Sequence, residues 1–452
     1  MMSGALTQTT TSQGDEGPAS DGTVPVIRWV YPLPARSPLW FERPSMTLGR
    51  DADADVELLG HKVSRRHVRI ARSGQLWLIN DLDSKNGLFI NGKRSKAAAL
   101  AAGDVVRIGE YVGVYLRAPR DADLSFAALA PKIYGGLAHR AVVARAKALA
   151  GSNLPVVLEG ATGTGKERFA EAIHAWSGRR GGFFAVNCAV YSRAVAPAEL
   201  FGYRKGAFTG AEQASPGHIR AAQGGTLLLD ELIELPLEVQ AMLLRVIENR
   251  EVLALGETRP VAVDVRFMAA SQVPLSQAVE QGRFRADLRA RLERTVISLP
   301  ALGQCREIVP ELFCALYELH SARRPQPSQA FVERLCLHDW PLNVRELDTL
   351  ARRLALAPPE GAKLEAALLE GLPSSVAKPP AEAEPRGGGK KDVMVPGRQR
   401  RDLSYDESQI RALVAALTEC GGNVTRAAQQ LRLSRPKAYR MLEAARRAGL
   451  VS

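Results

Sequence analysis

Three hydrophobic rhythms succeed one another along the chain. Across residues 24–117 apolar residues come in short alternating runs, as at 68–70, 76–79 and 112–116, with turn residues between them. That rhythm predicts an all-β sandwich of many short strands over residues 24–120. Across residues 134–370 strand-like runs alternate with helix-like stretches, which predicts an α/β nucleotide-binding fold. Its first buried strand is residues 154–158, and Phe169, Ile173 and Trp176 share one face of the helix that follows. Helical periodicity on both sides of residues 338–347 predicts a small α-helical lid. Over residues 404–452 the rhythm is helical again. Ile410, Leu413, Val414 and Leu417 form a stripe, Asn423 starts a second helix, and Arg432 and Leu433 make a turn. Ser434 is a good N-cap for a third helix, with Pro436 tolerated in its first turn. This predicts an all-α helix-turn-helix in which Tyr439 and Leu442 face inward and Arg435, Lys437 and Arg440 face outward.

The segments between these units differ in composition. Residues 1–23 are rich in Thr, Ser and Gly and read as a disordered leader. Residues 121–133 form a short Ala-rich linker. Residues 371–403 are rich in Pro, Ala, Gly and Lys and read as a flexible tether. A chain of 452 residues is expected to hold two to four domains. No apolar run approaches the roughly 20 residues of a membrane helix, and the leader has no apolar stretch of a secretory signal. The five cysteines are scattered, which argues against a zinc site or a disulfide framework and for a reducing cytoplasm. A net charge of +12 suits a polyanionic partner, and equally a merely soluble basic surface.

Candidate chemistry sharpens the picture. Gly160, Ala161, Thr162, Gly163, Thr164, Gly165 and Lys166 lie between the buried strand and its helix, the context a P-loop requires. Glycines there let backbone N–H groups converge on ATP phosphates, helped by the helix N-terminus, and Lys166 reaches the β- and γ-phosphates. Glu167 stands where a Ser or Thr usually ligates magnesium. Downstream, a buried Leu run at 227–229 ends in Asp230 and Glu231. Asp230 is placed to organise Mg2+ through its waters, and Glu231 to polarise the attacking water. The plainer alternative, a solvated acidic pair, fits poorly behind a P-loop. In the β-sandwich the polar groups cluster in the connections, at Gly49 and Arg50, Ser64 to His67, and residues 83–87 and 91–92. Finally, Gly206, Ala207, Phe208, Thr209, Gly210 and Ala211 form an apolar tip with glycines near both ends. That is either an ordinary surface hairpin or a loop built to touch a partner.

The run ELFGYRKGAFTGAE at residues 199–212 resembles the substrate-contact loop of bacterial enhancer-binding proteins, the AAA+ ATPases that activate sigma-54 RNA polymerase. That family characteristically has Gly-Lys-Glu in its P-loop, as here at 165–167. Residues 263–272 resemble its sensor I strand, with Ser271 and Gln272 where Thr and Asn are usual. Residues 282–292 resemble its arginine-finger segment, with Arg285 and Arg291 at the matching positions and ADLRA in place of EDLYY. Arg283 and Arg289 also fit a basic solvated helix. Residues 338–347 resemble the lid's sensor II motif, with Arg345 reaching the phosphates. By this resemblance Asn187 holds Glu231 in check, Phe208 contacts sigma-54 and Thr209 helps hold the loop's shape. A finger supplied by a neighbour implies a homo-oligomeric ring, which the family builds as a hexamer.

The Gly-Arg, Ser-Arg-x-His and Asn-Gly-x-x-x-Asn-Gly set resembles a forkhead-associated (FHA) domain. The resemblance implies that Arg50 and Ser64 hold a phosphothreonine, Arg65 flanks it, Asn86 fixes the peptide backbone and His67 braces the loop. Lys85 replaces the usual Ser or Thr, and Leu88 the usual Thr. An FHA scaffold used only for docking is the alternative. The C-terminal unit is similar to a Fis-type helix-turn-helix, which implies that Arg435, Lys437 and Arg440 contact double-stranded DNA at an enhancer site. A solvated basic helical hairpin competes on spacing alone. Together these imply a cytoplasmic, nucleoid-associated activator downstream of a Ser/Thr kinase. Two rivals are a DNA-bound FHA phosphoprotein adaptor with a weakened ATPase, and a remodeller of some target other than sigma-54.

Overall fold

The computed structural model describes residues 22–370 together with Leu431. The helix-turn-helix expected at 404–452, with Arg435, Lys437 and Arg440, lies outside the described residues, as do the tether and nearly all of the leader.

The alternating runs of the first unit fold as two facing sheets. One runs, in spatial order, Leu39–Trp40, Thr23–Tyr31, Tyr111–Pro119, Val105–Ile108, Leu88–Ile90 and Lys93–Ser95. The other runs Val56–Glu57, Ser45–Gly49, Val68–Ser73, Leu76–Asp81 and Ala97–Ala99. Trp29, Leu48, Ile70, Ile79 and Ile108 fill the space between them. Trp29 meets Tyr111 edge to face, with ring centroids 5.6 Å apart. The expected β-sandwich is therefore present, and hydrogen bonds join its connections at 49–50, 64–67 and 83–87, while Asn91 and Gly92 lie at the other end of strand Leu88–Ile90.

Beyond Leu124, which is buried beside Val26 and Ala118, the connecting segment is itself structured. Ala127–Ala130 and Ile133–Gly135 pair as a short antiparallel hairpin. The α/β unit follows. Its five-stranded sheet is parallel throughout, in the order Phe183–Asn187, Thr226–Asp230, Arg266–Ser271, Val156–Glu159, Val296–Ser298. Such strands are covered on both faces and read as continuous apolar runs, which is why 227–229 is three leucines. A parallel sheet also sends all its C-terminal ends to one edge, where ligands bind in open α/β folds. The P-loop, the acidic pair and residue 272 each follow one of those ends.

The lid is three helices, Val309–Ser321, Gln329–Leu337 and Asn343–Leu356, packed around Phe313, Tyr317, Phe331 and Trp340. Ser328 caps the second by accepting from the Phe331 N–H at 3.3 Å. Among the described residues the cysteines are unpaired. Burial pushes the thiols of Cys188, Cys305 and Cys314 up to about 12, so they stay protonated and inert. No described helix is long and apolar enough to cross a membrane.

Candidate functional site

The loop after Val156–Glu159 is drawn tight against its surroundings. A Cβ on Gly163 would lie 2.0 Å from the Leu342 carbonyl oxygen of the lid, so only glycine fits that approach. Gly160 donates to the Ser271 carbonyl, and Thr164 Oγ1 donates to the Ala161 carbonyl at 2.9 Å. Lys166 opens the helix Lys166–Ser177, and its ammonium donates to the Gly160 carbonyl at 2.8 Å. Burial lowers the Lys166 pKa, while Glu231 and Asp230 oppose that shift. The ammonium thus already sits in the field of both carboxylates.

Asp230 ends its strand half-buried. Burial, and then the neighbouring Glu231 charge, raise its pKa above the ordinary carboxylate value. Glu167, exposed on the first turn of its helix, lies close enough to add to that shift. Oxygen donors of this kind suit a hard divalent cation. Among the described residues no three His, Cys, Asp or Glu side chains converge, so such an ion would lean on Asp230 and on substrate oxygens. Glu231 takes φ +52°, a left-handed conformation that costs a non-glycine residue about 1–3 kcal/mol and clusters at active sites. It turns the carboxylate out of the strand line toward Gln272, whose Nε2 donates to Glu231 Oε1 at 2.7 Å. The longer amide of Gln272 thus spans to the carboxylate directly.

The finger segment is pinned by Gln240, which is fully buried. It donates to the Leu235 and Arg283 carbonyls and accepts from the Arg285 N–H at 3.0 Å. On the helix Ala286–Leu292, Arg285 pairs with Asp287, and Arg291 with Glu248 at 2.6 Å. The tip loop rises from Tyr203, whose N–H and carbonyl both bond Ser215. Gly206 and Gly210 both have positive φ, and Gly206 donates to the Ala211 carbonyl at 2.9 Å to close the tip. Phe208 is 47% exposed, and its ring leans on Tyr203 with centroids 4.9 Å apart.

In the β-sandwich, Arg50, Arg65 and Lys85 are exposed around half-buried Ser64. A Cβ on Gly49 would lie 1.9 Å from the Arg65 carbonyl oxygen, which is why glycine precedes Arg50. The Lys85 N–H donates to Ser64 Oγ at 3.0 Å, joining the two loops. His67 is fully buried. Its Nδ1 accepts from the Ser64 N–H at 3.0 Å, so Nε2 carries the proton and donates to the Gly87 carbonyl at 3.2 Å. Burial lowers the His67 pKa, keeping it in the neutral form this bridge needs. Asn86 Nδ2 donates to the Lys62 carbonyl at 2.7 Å. Leu88 is turned wholly into the core and offers the pocket nothing.

These two sites match known families. A family model described as "Sigma-54 interaction domain" matches residues 135–298, and one described as "FHA domain" matches residues 46–109. The sigma54-dependent transcriptional activator SfnR of Pseudomonas putida is 38% identical over 307 residues, covering 66% of this chain and 83% of that protein. The chain belongs to the sigma-54-dependent transcriptional activators. WtsA, a pathogenicity locus probable regulatory protein of Pantoea stewartii subsp. stewartii, is 42% identical over 49% of this chain and 70% of its own. The DNA-binding transcriptional regulator NtrC of Bradyrhizobium sp. (strain RP501 Parasponia) is 37% identical over 63% of each chain. The sigma-54 interaction domain belongs to the AAA+ ATPases, so the activator family accounts for the P-loop and acidic pair together.

The activator's expected residues divide in two. Lys166, Asp230, Glu231 and Gln272 meet at one sheet edge, with Arg345 close enough to act on Lys166. No hydrogen bond joins Asn187 to Glu231 in this structure. Asn187 lies level with Asp230 on the adjacent strand, but its Oδ1 accepts from the Ala189 N–H at 2.9 Å. A short Asn at a strand end satisfies the next turn, and Gln272 occupies the carboxylate instead. The Thr209 hydroxyl makes no hydrogen bond among the described residues, and backbone bonds and two positive-φ glycines close the tip.

Asn343 was not anticipated. It is 2% exposed with φ +52°, donates to the Thr162 carbonyl at 2.9 Å and accepts from the Leu302 N–H at 2.7 Å. It therefore fastens lid to P-loop. Its signal was an Asn at a helix start, where that residue tolerates left-handed backbone. Gln240 was also missed, though a lone amide inside an apolar helical stripe is a sign of a buried anchor.

Proposed function

We propose that this activator uses ATP hydrolysis in an oligomeric ring to remodel sigma-54 RNA polymerase for promoter opening, under control of phosphothreonine recognition by its FHA domain. The convergence of Lys166, Asp230, Glu231 and Gln272 at one sheet edge, together with a separate tip loop that leaves Phe208 half out in solvent, supports this reading. The P-loop N–H groups and Lys166 bind the phosphates of ATP, the substrate. Asp230 would hold a magnesium ion, which would supply charge neutralisation to the phosphates. Glu231 takes the proton of the attacking water. While its Oε1 accepts from Gln272, one of its oxygens is occupied, so Gln272 is the group that restrains Glu231 between turnovers. Arg291, with Arg285 beside it, leaves its surface partner to reach a neighbour's γ-phosphate, which ties hydrolysis to ring assembly, as a hexamer in this family.

The tip loop then grips sigma-54 through Phe208, and its stem moves as the nucleotide site cycles. The helix-turn-helix anchors the ring on DNA through Arg435, Lys437 and Arg440. Arg50, Ser64 and Arg65, with Lys85 as a further donor, hold a phosphothreonine placed by a Ser/Thr kinase, and Asn86 holds its peptide backbone.

The test is capture of sigma-54 by the purified chain with an ATP transition-state analogue. Wild type is expected to form a stable complex and Phe208→Ala to lose it while still binding nucleotide. Absence of any complex in every trapped state would leave a remodeller of another target.

A further inference from the structure

The FHA domain is packed onto the lid. The outer face of its larger sheet presents Val30, Val105, Val112 and Val114, which bury against Val332 and Cys336 of the helix Gln329–Leu337. All six are at most 1% exposed. Polar groups frame this seam. Gln329 Nε2 donates to the Gly109 carbonyl at 2.8 Å, and Arg107 pairs with Glu333 at 2.8 Å. Arg28, 3% exposed, donates to the Leu124 carbonyl at 2.6 Å, to the Glu307 carbonyl and to the Glu311 carboxylate. A buried charge partnered this way adds little net stability but admits one geometry. The seam is therefore a specified joint.

Each side of the joint leads to one of the two sites. On the FHA side, Gly109 begins a turn that is gripped by the loop before Ser64. Glu110 accepts from the Lys62 N–H at 3.0 Å, and Tyr111 Oη donates to the Leu59 carbonyl at 2.7 Å. The Lys62 carbonyl is the group that Asn86 holds. So the amide assigned to a peptide backbone also secures the loop that secures Gln329's partner. On the lid side, the clamped helix runs directly into residues 338–342 and Asn343. Asn343 donates to Thr162, and the Val344 N–H donates to the Gly163 carbonyl at 3.1 Å. A shift of this helix is therefore felt at the P-loop.

Resting on the phosphothreonine reading above, we propose that the FHA–lid seam is a clamp that phosphopeptide binding loosens, coupling the phosphate pocket to the lid. Turning Asn86 toward a peptide draws on the amide that now holds Lys62. The 59–63 loop relaxes, the Gly109 turn follows, and the lid helix is released. By linkage, whatever opens the clamp must favour peptide binding by the same factor.

The test uses the full chain and a phosphothreonine peptide selected on wild type from a degenerate library. Gln329→Ala and, separately, Glu333→Gln sit on the lid and alter none of the proposed phosphate ligands. Each is expected to tighten peptide binding about five-fold or more. In wild type, saturating peptide is expected to speed amide hydrogen exchange across residues 329–337, a change that a merely structural Gln329 would not produce. Arg50→Ala is expected to abolish binding. Peptide affinity unchanged or weakened in both lid variants, or exchange unaltered by peptide, overturns the clamp while the phosphopeptide reading stands. If wild type selects no phosphothreonine peptide, that reading falls and the clamp falls with it.

Discussion

Glu231→Gln is expected to slow ATP hydrolysis by about a hundred- to ten-thousand-fold, the usual contribution of a positioned general base. Nucleotide binding should stay close to wild type, because phosphate contacts come from the P-loop and Lys166. The substitution keeps the shape of the side chain and removes only its basicity. Phosphate release and equilibrium binding of an ATP analogue, measured on one preparation, separate the two effects. Equal hydrolysis by wild type and variant would favour the adaptor with a weakened ATPase. The same site sets the pH response. Burial and the Glu231 charge hold the Asp230 pKa above the ordinary aspartate value, so Asp230 takes up its proton earlier as pH falls. In the nucleotide-free protein the acid limb of the Asp230 titration, followed by carboxyl NMR, should therefore lie above the ordinary aspartate range. Gln272→Glu, which sets a third carboxylate against Glu231, should move that limb to still higher pH. An unmoved profile would separate Gln272 from the base.

Arg291→Ala is expected to cost about a thousand-fold or more in hydrolysis, the range of arginine fingers, if the guanidinium serves a neighbouring site. Within one chain Arg291 is engaged by Glu248 at the surface. Whether its loss acts within a chain or between subunits is read from mixed assemblies. Mixing gives the decisive form. Arg291→Ala subunits keep an intact P-loop, and Lys166→Ala subunits keep an intact finger. Each alone should be inactive, and the mixture should recover a substantial fraction of wild-type hydrolysis. Failure of the mixture to recover, with assembly verified by light scattering, would place Arg291 outside the reaction.

Much of this protein is written in short stretches of sequence. The P-loop declares itself because its chemistry is backbone chemistry, and glycines at 160, 163 and 165 are needed wherever that loop is built. Asp230 and Glu231 are legible because a buried leucine run cannot end in two carboxylates without a use for them. The FHA pocket is legible for a similar reason, since Arg50, Ser64 and Asn86 sit in loops whose glycines and turn residues mark them. The separate domains follow from the change between a two-residue and a helical rhythm.

What local pattern could not supply was partnership across the chain. Gln272 rather than Asn187 meets Glu231 because of strand order and side-chain reach, which neither segment encodes alone. Asn343 reaches the P-loop, and Arg28 reaches Glu311, across intervals that no local rule spans. One clue to the FHA–lid seam was present. Residues 25–30 read Pro-Val-Ile-Arg-Trp-Val with no polar alternation beyond Arg28, and the structure buries all six, as in a strand covered on both faces. The sequence by itself determined which residues are candidates for holding phosphate, cation and base, because those capacities belong to side chains and turns. Only the tertiary structure decided which of them face one another, because that depends on how sheet order and packing bring distant segments to a common edge.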